Sequence, residues 1–151
     1  MRTAQAGFKT GKGSESPADL LARLGPTLLV DLGYRSRAAP DATPNLPAKR
    51  IRALLDTGAG ADCIDEALAE SLGLPVTNEV EISGIGGRHR ALVYMARLYV
   101  PALERLVFQP FAGVKLEAGD QWHRVILGRT FLRPYRINYD GGSGQVELIE
   151  D

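Results

Sequence analysis

The chain has 151 residues, 44% hydrophobic and 24% charged, enough for one domain whose core needs neither disulfides nor a metal. Its 18 Lys and Arg balance 18 Asp and Glu, so no net charge draws it to nucleic acid or to an anionic membrane. The single cysteine, Cys63, excludes an intramolecular disulfide and a Cys-based zinc site, and two histidines, His89 and His123, are too few for a metal cluster and lack metalloprotease spacing.

Met1 to Glu15 is rich in Gly, Ser, Thr and Lys and lacks an apolar h-region, so it reads as a flexible tail and not as a secretory leader. No run approaches the roughly 18 uncharged apolar residues of a transmembrane helix, and a cytoplasmic location is expected. Ser16 then offers an N-cap, Pro17 a first helical position, Asp19 a first-turn acid and Gly25 a stop. Residues 1–25 are thus expected to be a tail with a short helical arm, and residues 26–151 a folded domain.

Strands are expected from there. Thr27 to Tyr34 alternates in part through Leu28, Val30 and Leu32, and Arg35 to Ala48, with Pro40, Pro44 and Pro47, is a long loop. Arg50 to Leu55 is a second strand that runs straight into Asp56-Thr57-Gly58-Ala59. Ile64 to Leu72 reads as a helix with Ile64, Leu68 and Leu72 on one face and Asp65 and Glu66 in its first turn. Val80 to Val93 is a hairpin with Gly84, Gly86 and Gly87 around its tip, where all three glycines are expected in turn conformations. Met95 to Val100, Leu106 to Val114 and Arg124 to Leu127 are further strands, Thr130 to Leu132 is at most a helical turn, and Arg136 to Tyr139 with Gln145 to Ile149 form a last hairpin. The fold class is mostly β with one or two short helices.

Leu54-Leu55-Asp56-Thr57-Gly58-Ala59 carries the chemistry. An acid that directly follows an apolar strand and opens a tight turn has its carboxylate presented by rigid backbone. Thr57 adds a hydroxyl that both donates and accepts, and Gly58 lets backbone approach closely and has an N–H that can donate to a carboxylate. Asp-Thr-Gly alone occurs by chance in roughly a few per cent of chains this long, and an Asp-initiated turn is its plain structural reading. Downstream lies Val125-Ile126-Leu127-Gly128-Arg129-Thr130-Phe131-Leu132, with the glycine-tipped hairpin between.

This order resembles the retropepsin-like aspartic proteases, in particular their bacterial and cellular single-lobe members, from about Pro26 to the C-terminus. The resemblance implies a single-lobe acid-protease barrel with a flap hairpin. It implies that Asp56 is the catalytic aspartate and Thr57, Gly58 and Ala59 its active-site loop. Gly84, Ile85, Gly86 and Gly87 become the substrate-binding flap, and Ile126, Leu127, Gly128 and Arg129 the supporting second loop. In viral members an aspartate two residues past the catalytic glycine pairs with the arginine. Gly60 stands there in this chain, leaving Asp62 and Asp65 as candidate partners for Arg129.

The implied mechanism needs two carboxyl groups that share one proton, one acting as base on a water and the other as donor to the scissile carbonyl. The chain has one Asp-Thr-Gly, so a two-fold axis must supply the second Asp56 from another copy. The expected function is therefore an aspartic endopeptidase acting on polypeptide as a homodimer, without metal or cofactor. A catalytically weak dimerisation or peptide-binding module is the alternative. The dimer contact is expected to include the loop around Thr57 and strands with free edges at Leu28 to Leu32 and Val146 to Ile149. Cys63 and Tyr94 are expected to pack in the core, and His123 beside Trp122 to be a loop residue, exposed or packed.

Overall fold

The computed structural model describes residues 1–151. The elements in order are β1 (Arg2–Gln5), α1 (Pro17–Leu24), β2 (Thr27–Gly33), β3 (Ala48–Leu55), β4 (Cys63–Asp65), α2 (Glu66–Ser71), β5 (Val76–Gly84), β6 (Gly87–Val100), a 3-10 turn (Pro101–Leu103), β7 (Arg105–Val114), β8 (Val125–Leu127), α3 (Arg129–Leu132), β9 (Tyr135–Asp140) and β10 (Gln145–Glu150). The mostly β architecture is as expected. No helix is long and apolar enough to cross a membrane.

A seven-stranded sheet of order β2-β3-β8-β4-β7-β6-β5 closes into a six-stranded barrel because β2 also pairs with β6. The closure depends on a bulge in β2. Its register against β3 shifts between Val30 and Leu32, and the strand then turns to place Asp31 opposite Tyr99 and Gly33 opposite Arg97. Asp31 is buried at that bend, and its Oδ1 accepts the backbone N–H of Arg50 at 3.0 Å. Arg50 itself carries a φ of 54°.

Inward-facing apolar side chains fill the barrel, among them Val30, Leu32, Ile64, Leu98, Phe111, Val125 and Leu127, all fully buried. Burying a side chain of this kind contributes roughly 1.5–3 kcal/mol. Tyr94 joins this core, as expected, and its ring fills the space that a side chain at Gly113 would need. On β6 the inward pattern starts only at Ala91; every residue from Gly87 to Arg90 is exposed. The tip of the β5–β6 hairpin therefore stands clear of the barrel, with β5 as the open edge of the sheet.

Three expectations are corrected. The first concerns Met1 to Glu15, which are not a loose tail. Arg2 pairs with Glu150 and Gln5 with Glu147, so β1 completes a small sheet of order β1-β10-β9. Ala4 and Ala6 are buried, and that apolar contact anchors the segment. As a second consequence, Val146 to Ile149 has no free edge, since β10 lies between β1 and β9. The helix expected over Ile64 to Leu72 is also shorter. Cys63–Asp65 joins the barrel, parallel to β7 and antiparallel to β8, because Ile64 gains a fully buried core position there. Asp65 caps the helix that follows, its Oδ2 accepting from Leu68 N at 3.2 Å and its Oδ1 from Leu116 N and Glu117 N at 3.0 Å each.

Candidate functional site

β3 runs parallel to β8, with Ala53, Leu54 and Leu55 opposite Val125, Ile126 and Leu127. The pairing carries one step beyond the strand: Asp56 N donates to Leu127 O at 2.9 Å. The chain then leaves the sheet. Asp56 Oδ1 accepts from Gly58 N at 2.9 Å, and Ala59 N donates to Asp56 O at 3.2 Å, which makes a compact Asp-initiated turn. A Cβ on Gly58 would lie 3.1 Å from Asp56 Oδ1, so glycine lets the carboxylate sit tightly over the turn. Asp56 is half-buried, and Thr57 and Gly58 are exposed at the loop tip. Asp56 Oδ2 has no hydrogen-bond partner within the chain.

The second loop interlocks with the first. Arg129 N donates to Ala59 O at 2.8 Å, Arg129 Nη1 to Thr57 O at 2.9 Å, and Thr130 Oγ1 to Gly60 O at 2.8 Å. Gly128 is the residue around which the loop wraps: a Cβ there would lie 2.6 Å from Ala59 O and 2.7 Å from Ala61 O, both backbone atoms. Leu127 is buried beneath, and Ile126 is half-buried beside it. The structure thus brings Asp56, Thr57, Gly58 and Ala59 together with Ile126, Leu127, Gly128 and Arg129.

Arg129 departs from expectation in its partners. Neither Asp62 nor Asp65 pairs with it. Asp65 is committed to three backbone N–H groups, and Asp62 is buried and faces Gly128 and Gln109. The guanidinium instead donates to the carbonyl of Thr57. With Gly60 in place of an acid, backbone is the acceptor within its reach.

The hairpin tip also departs in detail. Gly84 pairs with Gly87 across Ile85 and Gly86, and Ile85 is fully exposed. Gly86 lies in the turn as expected, whereas Gly84 and Gly87 end the two strands, and of the three only Gly87 has a positive φ, 95°. A Cβ at Gly84 meets nothing, and one at Gly86 would only approach the end of the His89 side chain at 3.5 Å. A cavity of about 290 Å³ joins the base of this hairpin to the end of the Asp56 loop, lined among others by Asn78, Val80, Ala61 and Asp62. A larger cavity, about 630 Å³, lies elsewhere, between β1, β2 and Trp122, and Asp56 does not line it.

His123 is packed. Its Nε2 lies 2.8 Å from Thr27 Oγ1, and burial, with Arg52 nearby, pushes its pKa down to about 4. Burial, followed by the charges of Asp62 and Asp56, pushes the Cys63 thiol up to about 11. At neutral pH its thiolate fraction falls about 100-fold below that of an ordinary cysteine. Iodoacetamide should accordingly label Cys63 far more slowly in native than in unfolded protein, and equal labelling rates would contradict the packing. Gln109 belongs to no motif of the sequence, yet it joins the site through Asp62. An amide on a strand otherwise read as apolar is the signal that marks it.

Residues 45–134 match the family model described as "gag-polyprotein putative aspartyl protease". No curated protein matches the chain. Among solved structures it is similar to the protease of Simian Foamy Virus (mac), with 17% identity, 71% of this chain and 91% of that one covered and a TM-score of 0.46. The EIAV protease complexed with the inhibitor HBY-793 is 19% identical, with 72% and 85% covered and a TM-score of 0.47. A retropepsin-like aspartic protease from Rickettsia conorii is 16% identical, with 79% and 92% covered and a TM-score of 0.45.

Proposed function

The chain belongs to the gag-polyprotein aspartyl protease family, and from that premise we propose that it is an endopeptidase whose catalytic residue is Asp56 and whose active site forms between two copies of the chain. The observation that carries this reading is the presentation of Asp56. Its carboxylate stands at the end of β3, just past the buried Leu55, on a loop tied to the second loop at several points, with one oxygen hydrogen-bonded and the other free. Rigid support of one oxygen and availability of the other suit a group that must hold a water and pass a proton.

One carboxyl is half of the required pair. Thr57 and Gly58, exposed at the loop tip, are the surface through which a second copy would bring its own Asp56 close. Two carboxyls about 3 Å apart hold one proton between them, so each pair contains a base and an acid at once. The water attacks the scissile carbonyl, its proton passes to the ionised carboxyl, and the protonated one donates to the carbonyl oxygen. Collapse of the tetrahedral intermediate delivers a proton to the leaving amine. Because β10 is already paired on both sides, β9 is the strand of the small sheet left available for contact with the second copy, while β1 lies against the 3-10 turn through Arg2 Nη1 and Leu103 O. In this reading residues 26–151 carry the protease chemistry, and β1 braces them.

Substrate is an extended polypeptide laid beneath the β5–β6 hairpin, whose residues Gly84 to Gly87 act as the flap. Gly87→Val places a β-branched residue at a φ of 95°, which it adopts badly. The tip is exposed, so we expect kcat/KM on large substrates to fall about tenfold while the melting temperature moves little. Unchanged turnover would mean that the hairpin is not a lid. The reading as a whole is tested by whether purified protein cleaves a denatured polypeptide and whether Asp56→Asn stops it. A peptide-binding module would bind and not cleave.

A further inference from the structure

Asp62 is a buried carboxylate, 4% exposed, that the chemistry above does not use. Both of its oxygens are engaged. Oδ1 accepts the backbone N–H of Gly128 at 2.6 Å, and Oδ2 lies 2.5 Å from Gln109 Nε2 on β7. Its own backbone carbonyl accepts from Ala112 N at 3.0 Å, which fixes the residue against β7 at the same point.

The position in the loop matters. The Asp56 loop starts where Asp56 N meets Leu127 O and is held midway where Arg129 N meets Ala59 O. Asp62 closes the far end by gripping Gly128, the residue between those two attachments. A carbonyl or hydroxyl could accept one of these bonds. Only an acid or amide side chain spans both partners, and a charge-assisted acceptor makes the shorter and stronger bond. Arg129 has no carboxylate partner, so no ion pair braces the loop from outside.

We propose that Asp62 is a positioning residue that sets the Asp56 loop from within, by tying Gly128 to Gln109, in place of an outer acid–arginine pair. The proposal rests on the protease reading for its effect on catalysis but not for its effect on the loop. The neighbouring titratable side chain is Cys63 on β4, which feels the charges of both Asp62 and Asp56. β7 presents neutral Gln109, and β5 presents neutral Asn78 across the cavity. Burial pushes the Asp62 carboxyl up from its ordinary value, against the pull of its hydrogen bonds. When protonated it still reaches both partners if the Gln109 amide turns over, so the tie does not require the charge.

Three variants of the full chain test this: Asp62→Ala, Asp62→Asn and Gln109→Ala. Amide hydrogen exchange is read at Asp56, Ala59, Gly128 and Arg129, with Leu98 in the barrel as a control. Asp62→Ala should speed exchange at the four loop amides at least tenfold and leave Leu98 unchanged. Asp62→Asn should restore protection, and Gln109→Ala should be intermediate. In protein that cleaves peptide, Asp62→Ala should lower kcat about tenfold or more with KM nearly constant, and Asp62→Asn should recover most of it. If Asp62→Ala fails to fold, Asp62→Asn and Gln109→Ala carry the comparison. Loop exchange unaltered in Gln109→Ala and in every folded Asp62 variant would overturn the proposal. Absence of cleavage by wild-type protein would instead defeat the protease reading and leave the exchange result to decide on Asp62.

Discussion

Asp56→Asn protein is expected to fold as wild type does and to lose peptide cleavage by roughly a thousandfold or more. The fold should tolerate the change because little depends on the charge. Asp56 is half-buried, and its one side-chain hydrogen bond is an acceptance from Gly58 N, which an asparagine carbonyl oxygen can keep. A stability change within about 1 kcal/mol is therefore expected. The chemistry should not tolerate it. An amide can neither take a proton from water nor hold the shared one, so both roles of the pair vanish at that position. For wild-type protein the proposed sharing of one proton by two carboxyls predicts higher activity at acidic pH. As pH rises, the second carboxyl loses its proton and the carbonyl loses its donor, so kcat should fall on the alkaline side. Robust cleavage by well-folded Asp56→Asn protein, free of contaminating protease, would remove Asp56 from the catalytic role.

Much of this was legible in the sequence for a physical reason. Strand period, glycine turns and the apolar-strand-then-Asp pattern are local, and they marked β3 and β8 with bounds shifted by a few residues and found the tip of the β5–β6 hairpin; but Met95 to Val100, expected as a separate strand, continues β6, which runs unbroken from Gly87 to Val100. What escaped depends on contacts between distant segments. Helical spacing of Ile64, Leu68 and Leu72 predicted one helix, but Ile64 is worth more as a barrel residue between β7 and β8. A polar, glycine-rich start looked loose, and nothing local announced that Arg2 to Gln5 would pair with β10. The expected pairing of Arg129 with Asp62 or Asp65 failed for the same reason. Asp65 is engaged by backbone N–H groups of Leu68, Leu116 and Glu117, and Asp62 by Gly128 N and the Gln109 amide, groups that the sequence places 3 to 66 positions away.

The claim that two copies share one site has the sharpest consequence. A tenfold excess of folded Asp56→Asn protein, mixed with a fixed amount of wild type and allowed to exchange, should lower activity about tenfold, because nearly every wild-type chain then faces a crippled partner. Exchange is verified in the same sample by energy transfer between differently labelled chains. Loss of activity that tracks the fraction of mixed dimers is the result the shared pair predicts. Full activity retained while the labels show complete exchange would contradict it, since each chain would then carry a whole site of its own.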